Sequence, residues 1–169
     1  MLASSQADRF ARQILVPEIG ARGQERLLAA EVEVRAEGEA ADALGAYLSA
    51  AGVHSFGPKA HGSRAPAGSK GHPRVVSPAE AVSTDRWILA PSAVAWSCDL
   101  PPCGRCLAEV IPAEPAPAPF AHAVAWAAGA ALAAQLLLLL AGEHDPAPGA
   151  WRFWPEATLL PLPARCRHG

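Results

Sequence analysis

Apolar and polar positions change rhythm several times along the chain. From Glu31 to Arg35 (EVEVR) they alternate with the period of a half-buried strand. From Ala40 to Ala51 a run rich in Ala and Leu predicts a helix, closed by Gly52 at a position suited to positive φ just past a helix end. Upstream, Ser4 or Ser5 is expected to cap a helix whose first turn includes Asp8, and a break at Pro17 to Gly23 precedes a second short helix through Leu28. Pro58 to Pro73 (PKAHGSRAPAGSKGHP) has no periodicity and is rich in turn formers, which predicts a flexible loop. Beyond it, Arg86 to Ala90 (RWILA) reads as a short buried strand, Ala113 to Pro119 as a stiff extended linker and Phe120 to Gly142 as one long helix. Trp151 to Trp154 and Thr158 to Leu162 form the arms of a terminal hairpin around Pro155 and Glu156. No internal repeat is present.

Composition narrows the classes this pattern permits. A chain of 169 residues is expected to be one domain with a core of its own, and 51% hydrophobic with 6% aromatic means that Ala, Leu and Val carry the apolar mass. A net charge of −2, a pI near 6.3 and scattered arginines provide no basic field, which argues against nucleic acid as a partner. The charge-free run Phe120 to Gly142 is long enough to span a bilayer, for which about 20 residues suffice. Its alanine-rich first half, His122, Gln135 and the lack of a flanking Lys or Arg cluster favour a buried helix over a membrane span. Met1 to Arg12 is polar, with no apolar stretch of the secretory kind, so a cytoplasmic compartment is expected. There, four cysteines serve as thiols or metal ligands rather than disulfides.

Two segments carry a specific resemblance. Arg9 to Leu28, RFARQILVPEIGARGQERLL, is similar to the opening of the ThiF/MoeB/HesA family of ubiquitin-activating-type adenylating enzymes, and Tyr47 to Val53 (YLSAAGV) resembles the end of that family's first crossover helix. Pro102 to Leu107 (PCGRCL) resembles its zinc-binding cysteine pair. The resemblance implies an α/β fold, a shortened Rossmann-like ThiF-type domain over residues 1–169. Its expected parts are N-terminal helices and a degenerate dinucleotide-binding βα unit in 1–57, the loop 58–74, and the remnant sheet, the CxxC, the long helix and the hairpin in 75–169.

The resemblance also says what is missing. In register with Tyr47 to Val53, the family's Gly-rich phosphate turn falls on Ala36 to Ala41 (AEGEAA), where only Gly38 survives. Glu37 and Glu39 place carboxylates where polyphosphate would sit, and like charges a few ångströms apart repel by roughly one to several kcal/mol. The family's ribose-gripping acidic residue falls on Ala60, which offers no acceptor. The metal-binding aspartate has no counterpart beyond a nearby Asp85, and no catalytic cysteine is assignable. ATP·Mg²⁺ binding by the isolated chain is therefore not expected. Arg12, by contrast, matches the family arginine that reaches across the dimer to the partner's nucleotide, an arginine finger in trans, with Arg9 and Gln13 in the same stretch. A surface ion pair is the alternative role for Arg12.

Cys103-x-x-Cys106 has metal-ligand spacing, and the family pairs it with a second CxxC near the C-terminus; here that end reads Cys166-Arg-His168. A Cys₃His set of Cys103, Cys106, Cys166 and His168 would still close a tetrahedral structural zinc site, with free buried thiols or an occasional disulfide as the alternatives. Cys98 reads as core, His122 as a satisfied helix residue, and the other histidines as loop residues. Three functions follow: a non-catalytic subunit in a homodimer or heterodimer with an intact ThiF-like protein, serving a ubiquitin-like or carrier protein; a divergent ATP-dependent adenylyltransferase; or a zinc-stapled scaffold.

Overall fold

A computed structural model describes residues 2–57, 72–97, 102–112, 114–142, 147–166 and 168. The fold is a mixed α/β domain around one seven-stranded sheet. Three short N-terminal helices, α1 (Ser4–Arg9), α2 (Ala11–Ile14) and α3 (Gly20–Ala29), lead into β1 (Glu31–Val34), α4 (Glu39–Ala50) and β2 (His54–Phe56). Then come β3 (Arg74–Val76), β4 (Trp87–Ala90), β5 (Ala93–Trp96), α5 (Gly104–Val110), α6 (Ala121–Ala141), β6 (Gly149–Arg152) and β7 (Thr158–Leu159).

The strands lie in the order β2-β1-β3-β4-β5-β6-β7, parallel from β2 through β4 and antiparallel from there to β7. The chain leaves β1 to one side to make β2 and returns on the other side of β1 as β3, the reversal that marks the crevice of Rossmann-like sheets. The fold is thus a shortened Rossmann-like one, its sheet drawing β1 and β2 from residues 1–57 and the rest from residue 74 onward.

Period-2 alternation in the central strands sorts side chains into two cores. Trp87, Leu89, Val94 and Trp96 face a cluster with Leu44, Leu48, Leu132 and Leu136 of α4 and α6, whereas Ile88, Ala90, Ala93 and Ala95 face Leu107 and Ile111 beside α5. One face of the sheet therefore carries α3, α4 and α6, and the other carries α5 and the C-terminal tail.

Several expectations need correction. Neither Ser4 nor Ser5 caps α1; both are inside it, Ala3 is the cap residue, and its N–H donates to Gln6 Oε1 at 3.0 Å. Asp8 lies beyond the first turn. The break before α3 ends at Ile19, so Gly20 and Gly23 are helical, Gly23 packing against Ala141. The short strands β2, β3 and β5 and the helix α5 gave too little periodicity to be foreseen, and His54 belongs to β2 rather than to a loop. The stretch ahead of α6 closes in a turn at Ala118 to Phe120 instead of remaining extended. Of the loop expected over 58–74, residues 58–71, with Ala60, fall outside those described, as does Cys98, and Arg74 already belongs to β3.

The long helix is buried on one face only. It is long and apolar enough to cross a membrane, with a mean hydropathy of 2.0, and 33% of that window is buried. Ala125, Ala128, Gly129, Leu132, Ala133 and Leu136 form the buried face against α4. Gly142 in left-handed conformation (φ 78°) closes α6, and Arg26 Nη1 donates to the terminal carbonyl of Ala141 at 2.6 Å, a cation at a helix C-terminus.

Candidate functional site

Four predicted ligand residues converge on the α5 face of the sheet. Cys103 is the N-cap residue of α5 and Cys106 lies in its first turn, so one helical turn brings the two sulphurs to 3.6 Å. Gly104 sits so close to the carbonyls of Val82 and Asp85 that no Cβ would fit, which seats the pair against the segment before β4. After β7, Leu160 and Leu162 pack on the cluster containing Leu107 and Ile111 and carry the tail back over α5. This brings Cys166 Sγ to 3.9 Å from Cys106 Sγ, and His168 Nδ1 to 3.3 Å from Cys106 Sγ and 3.6 Å from Cys103 Sγ. All four ligand atoms lie within 4.8 Å of one another.

The four separations of 3.3–3.9 Å are close to the edges of a metal-centred tetrahedron, and the widest in the set, within 4.8 Å, would have to close by up to about an ångström around an ion. With metal–sulphur bonds near 2.3 Å and a metal–nitrogen bond near 2.0 Å, the edges would be roughly 3.8 Å between sulphurs and 3.6 Å from sulphur to nitrogen. Electrostatics points the same way. Burial pushes the Cys103 thiol up, whereas Cys166, which is exposed, is lowered to about 7, first by the backbone N–H of His168 and then by Cys103. Three sulphurs this close repel as thiolates, and a cation among them removes that repulsion and replaces their protons. The second nitrogen of His168 is also used: Nε2 lies 3.0 Å from Glu109 Oε1. Glu109 was not singled out from the sequence, because α5 was not foreseen and the ring it meets lies 59 positions further along the chain.

The turn after β1 lies elsewhere, at the sheet's crevice. Gly38 adopts φ 92° and ψ −175°, a conformation that favours glycine, and its carbonyl accepts from the N–H groups of Ala41 and Asp42 to open α4. A cleft of about 490 Å³ sits there, walled by Ala36, Glu37, Gly38, Asp42, Ser55 and Phe56 among others. Among the described residues, both charged ones in its lining, Glu37 and Asp42, are acidic. Glu39, at the start of α4, stands exposed beside it, 3.3 Å from Nδ1 of His122 on α6, so His122 has a partner. The acidic character expected of this turn therefore extends to Asp42, one helical turn beyond Gly38.

The N-terminal helices dock at the opposite end of α4. Gln24 Nε2 donates to the Ala51 carbonyl at 2.9 Å, Gln13 Nε2 to the Ala50 carbonyl at 3.4 Å, and the Arg9 guanidinium lies 5.0 Å from the Phe10 ring centre. Arg12 on α2 is exposed and, among the described residues, makes no hydrogen bond or ion pair. Asp85, near where a metal-binding aspartate would fall, is 3% exposed and consumed structurally. It pairs with Arg74 Nε at 2.8 Å and accepts from Arg74 Nη2 at 3.0 Å and from the Val82 N–H at 2.7 Å. Asp85→Asn is expected to destabilise the fold by about 1–2 kcal/mol in urea melts, the pair being partly screened because Arg74 reaches solvent. An unchanged midpoint would contradict that role.

No family model matches the chain, and no curated protein matches it.

Proposed function

We propose that the chain is a non-catalytic ThiF/MoeB-like subunit, stapled by zinc through Cys103, Cys106, Cys166 and His168, that pairs with an active adenylating partner and supplies Arg12 to the partner's nucleotide. The observation that carries this reading is the separation of two features by the length of α4. At its N-terminal end, the charged residues that line the crevice where a nucleotide phosphate would sit are, among the described residues, Glu37 and Asp42, both acidic. At its C-terminal end, Gln13 reaches the Ala50 carbonyl, and its neighbour Arg12 stands exposed with no hydrogen-bond or ion-pair partner among the described residues. The helix has 12 residues, about 18 Å, so Arg12 is out of reach of its own crevice and suits action in trans.

Zinc with four protein ligands keeps no open position and supplies cross-linking rather than chemistry. Cys103 and Cys106 would hold it from α5, and Cys166 and His168 from the tail. The thiol-rich set also fits a reducing, cytoplasmic setting.

The test is ATP·Mg²⁺ calorimetry on the full chain, followed by adenylation assays with an intact ThiF-like protein. We expect no ATP binding by the chain alone. The mixture should be active, and Arg12→Ala should reduce its rate at least about a hundredfold, the low end for a residue of this kind. Micromolar ATP binding by the isolated chain would overturn the reading in favour of a divergent adenylyltransferase. A mixture indifferent to Arg12 would leave the zinc-stapled scaffold.

A further inference from the structure

The zinc centre just proposed leaves one question open that the geometry answers: what fixes the ring of His168. An imidazole can present either nitrogen to a metal, and His168 lies on a tail anchored upstream by the two-residue strand β7, the Leu160 N–H bond to the Ala150 carbonyl and the packing of Leu160 and Leu162. Resting on that reading, we propose that Glu109 is the positioning residue of the centre. Its carboxylate accepts the Nε2–H of His168 and so turns Nδ1 toward the three sulphurs.

Both ring nitrogens are accounted for. Nδ1 is 3.3 Å from Cys106 Sγ and 3.6 Å from Cys103 Sγ, and Nε2 is 3.0 Å from Glu109 Oε1. The other tautomer would put the N–H among the sulphurs and leave the carboxylate facing a nitrogen without a proton. Glu109 follows Cys106 by three residues on α5, so a single helical turn presents both a ligand and the group that orients another ligand. Its carboxylate has no other hydrogen-bond or ion-pair partner among the described residues. An acceptor on the far nitrogen also makes the ring a stronger donor to the metal, the usual contribution of a carboxylate behind a ligating histidine. The His168 side chain is 20% exposed and that of Glu109 56%, so water competes for the bond and the effect is moderate rather than absolute.

The experiment is chelator competition for Zn²⁺ on the full chain, with the Co²⁺ absorption spectrum as a check on the ligand set. Glu109→Ala should weaken zinc binding about 10–100-fold. Glu109→Gln, which keeps an acceptor oxygen but no charge, should fall between that and the parent. In a His168→Ala background, Glu109→Ala should change nothing further, since the residue acts through the ring. A Glu109→Ala affinity within about twofold of the parent, or an equal loss with and without His168, would overturn the proposal while leaving the centre intact. A parent chain that binds neither Zn²⁺ nor Co²⁺ would instead remove the four-ligand centre itself.

Discussion

Cys106→Ser is expected to lose the metal and to lower the melting temperature of the zinc-loaded chain by about 8–16 °C. The argument begins with the tail. Its sheet pairing is limited to Trp151 with Leu159 and Arg152 with Thr158, and Leu160 and Leu162 add contacts on the α5 side. Cys166 and His168 lie beyond those anchors, where the His168–Glu109 bond is open to water, so a shared ligand would be the strongest tie closing the tail onto Cys103 and Cys106. A ligand that binds the folded state alone stabilises it by about 4 kcal/mol when present at a thousand times its dissociation constant. For a domain of this size each kcal/mol moves the midpoint by roughly 2–4 °C. The measurement is a pair of thermal melts, with zinc and with a chelator. The parent should fall to the level of the variant when chelated, and a variant equal to the parent in zinc would refute the staple. Protons compete for the same atoms. Cys166, lowered to about 7, supplies thiolate at neutral pH, and buried Cys103 must give up its proton on binding, so zinc affinity should fall as pH drops through 7.

How far this was legible in the sequence depends on how much each residue says about its own surroundings. The alternation of Glu31 to Val34 and the glycine after Ala51 located β1, α4 and the cap within a residue or two, because both patterns are local. Cys103, Cys106, Cys166 and His168 could be grouped because metal ligation restricts residue type and spacing. Glu109 could not, since its meaning comes from a ring contributed 59 positions later. The strands β2 and β3 have three residues each, too few to display a period, and are held by neighbours rather than by propensity. Within α6 the hydropathy is nearly uniform around the helix, so the sequence carried no information about which face turns inward. Asp85 could be given no role for a related reason: a carboxylate near a strand end looks the same on paper whether it faces a crevice or, as here, the Arg74 guanidinium.

The inward face of α6 is set by Gly129, and the second large effect follows from it. A Cβ at this position would lie 2.7 Å from Ala43 Cβ and 2.9 Å from the Leu44 nitrogen, and closer still to the Ala40 carbonyl. The backbones of α4 and α6 therefore meet at this crossing, with Leu44, Leu132 and Leu136 fully buried around it. In an exposed helix Gly→Ala gains about 1 kcal/mol. Here the gain is outweighed, because the obstructing atoms are mostly backbone and cannot rotate away, and forcing packed elements apart typically costs about 1–3 kcal/mol and sometimes more. Gly129→Ala is expected to destabilise the chain by about 2–3 kcal/mol net. Gly45, inside α4, provides the opposite case: a Cβ there meets nothing within 4 Å. Gly45→Ala should therefore stabilise by up to about 1 kcal/mol, reversing the sign for the same chemical change. Urea unfolding of both variants reads the difference directly. If both substitutions moved the midpoint in the same direction, the close crossing of α4 and α6 at Gly129 would be wrong, and with it the assignment of the face of α6 that is turned inward.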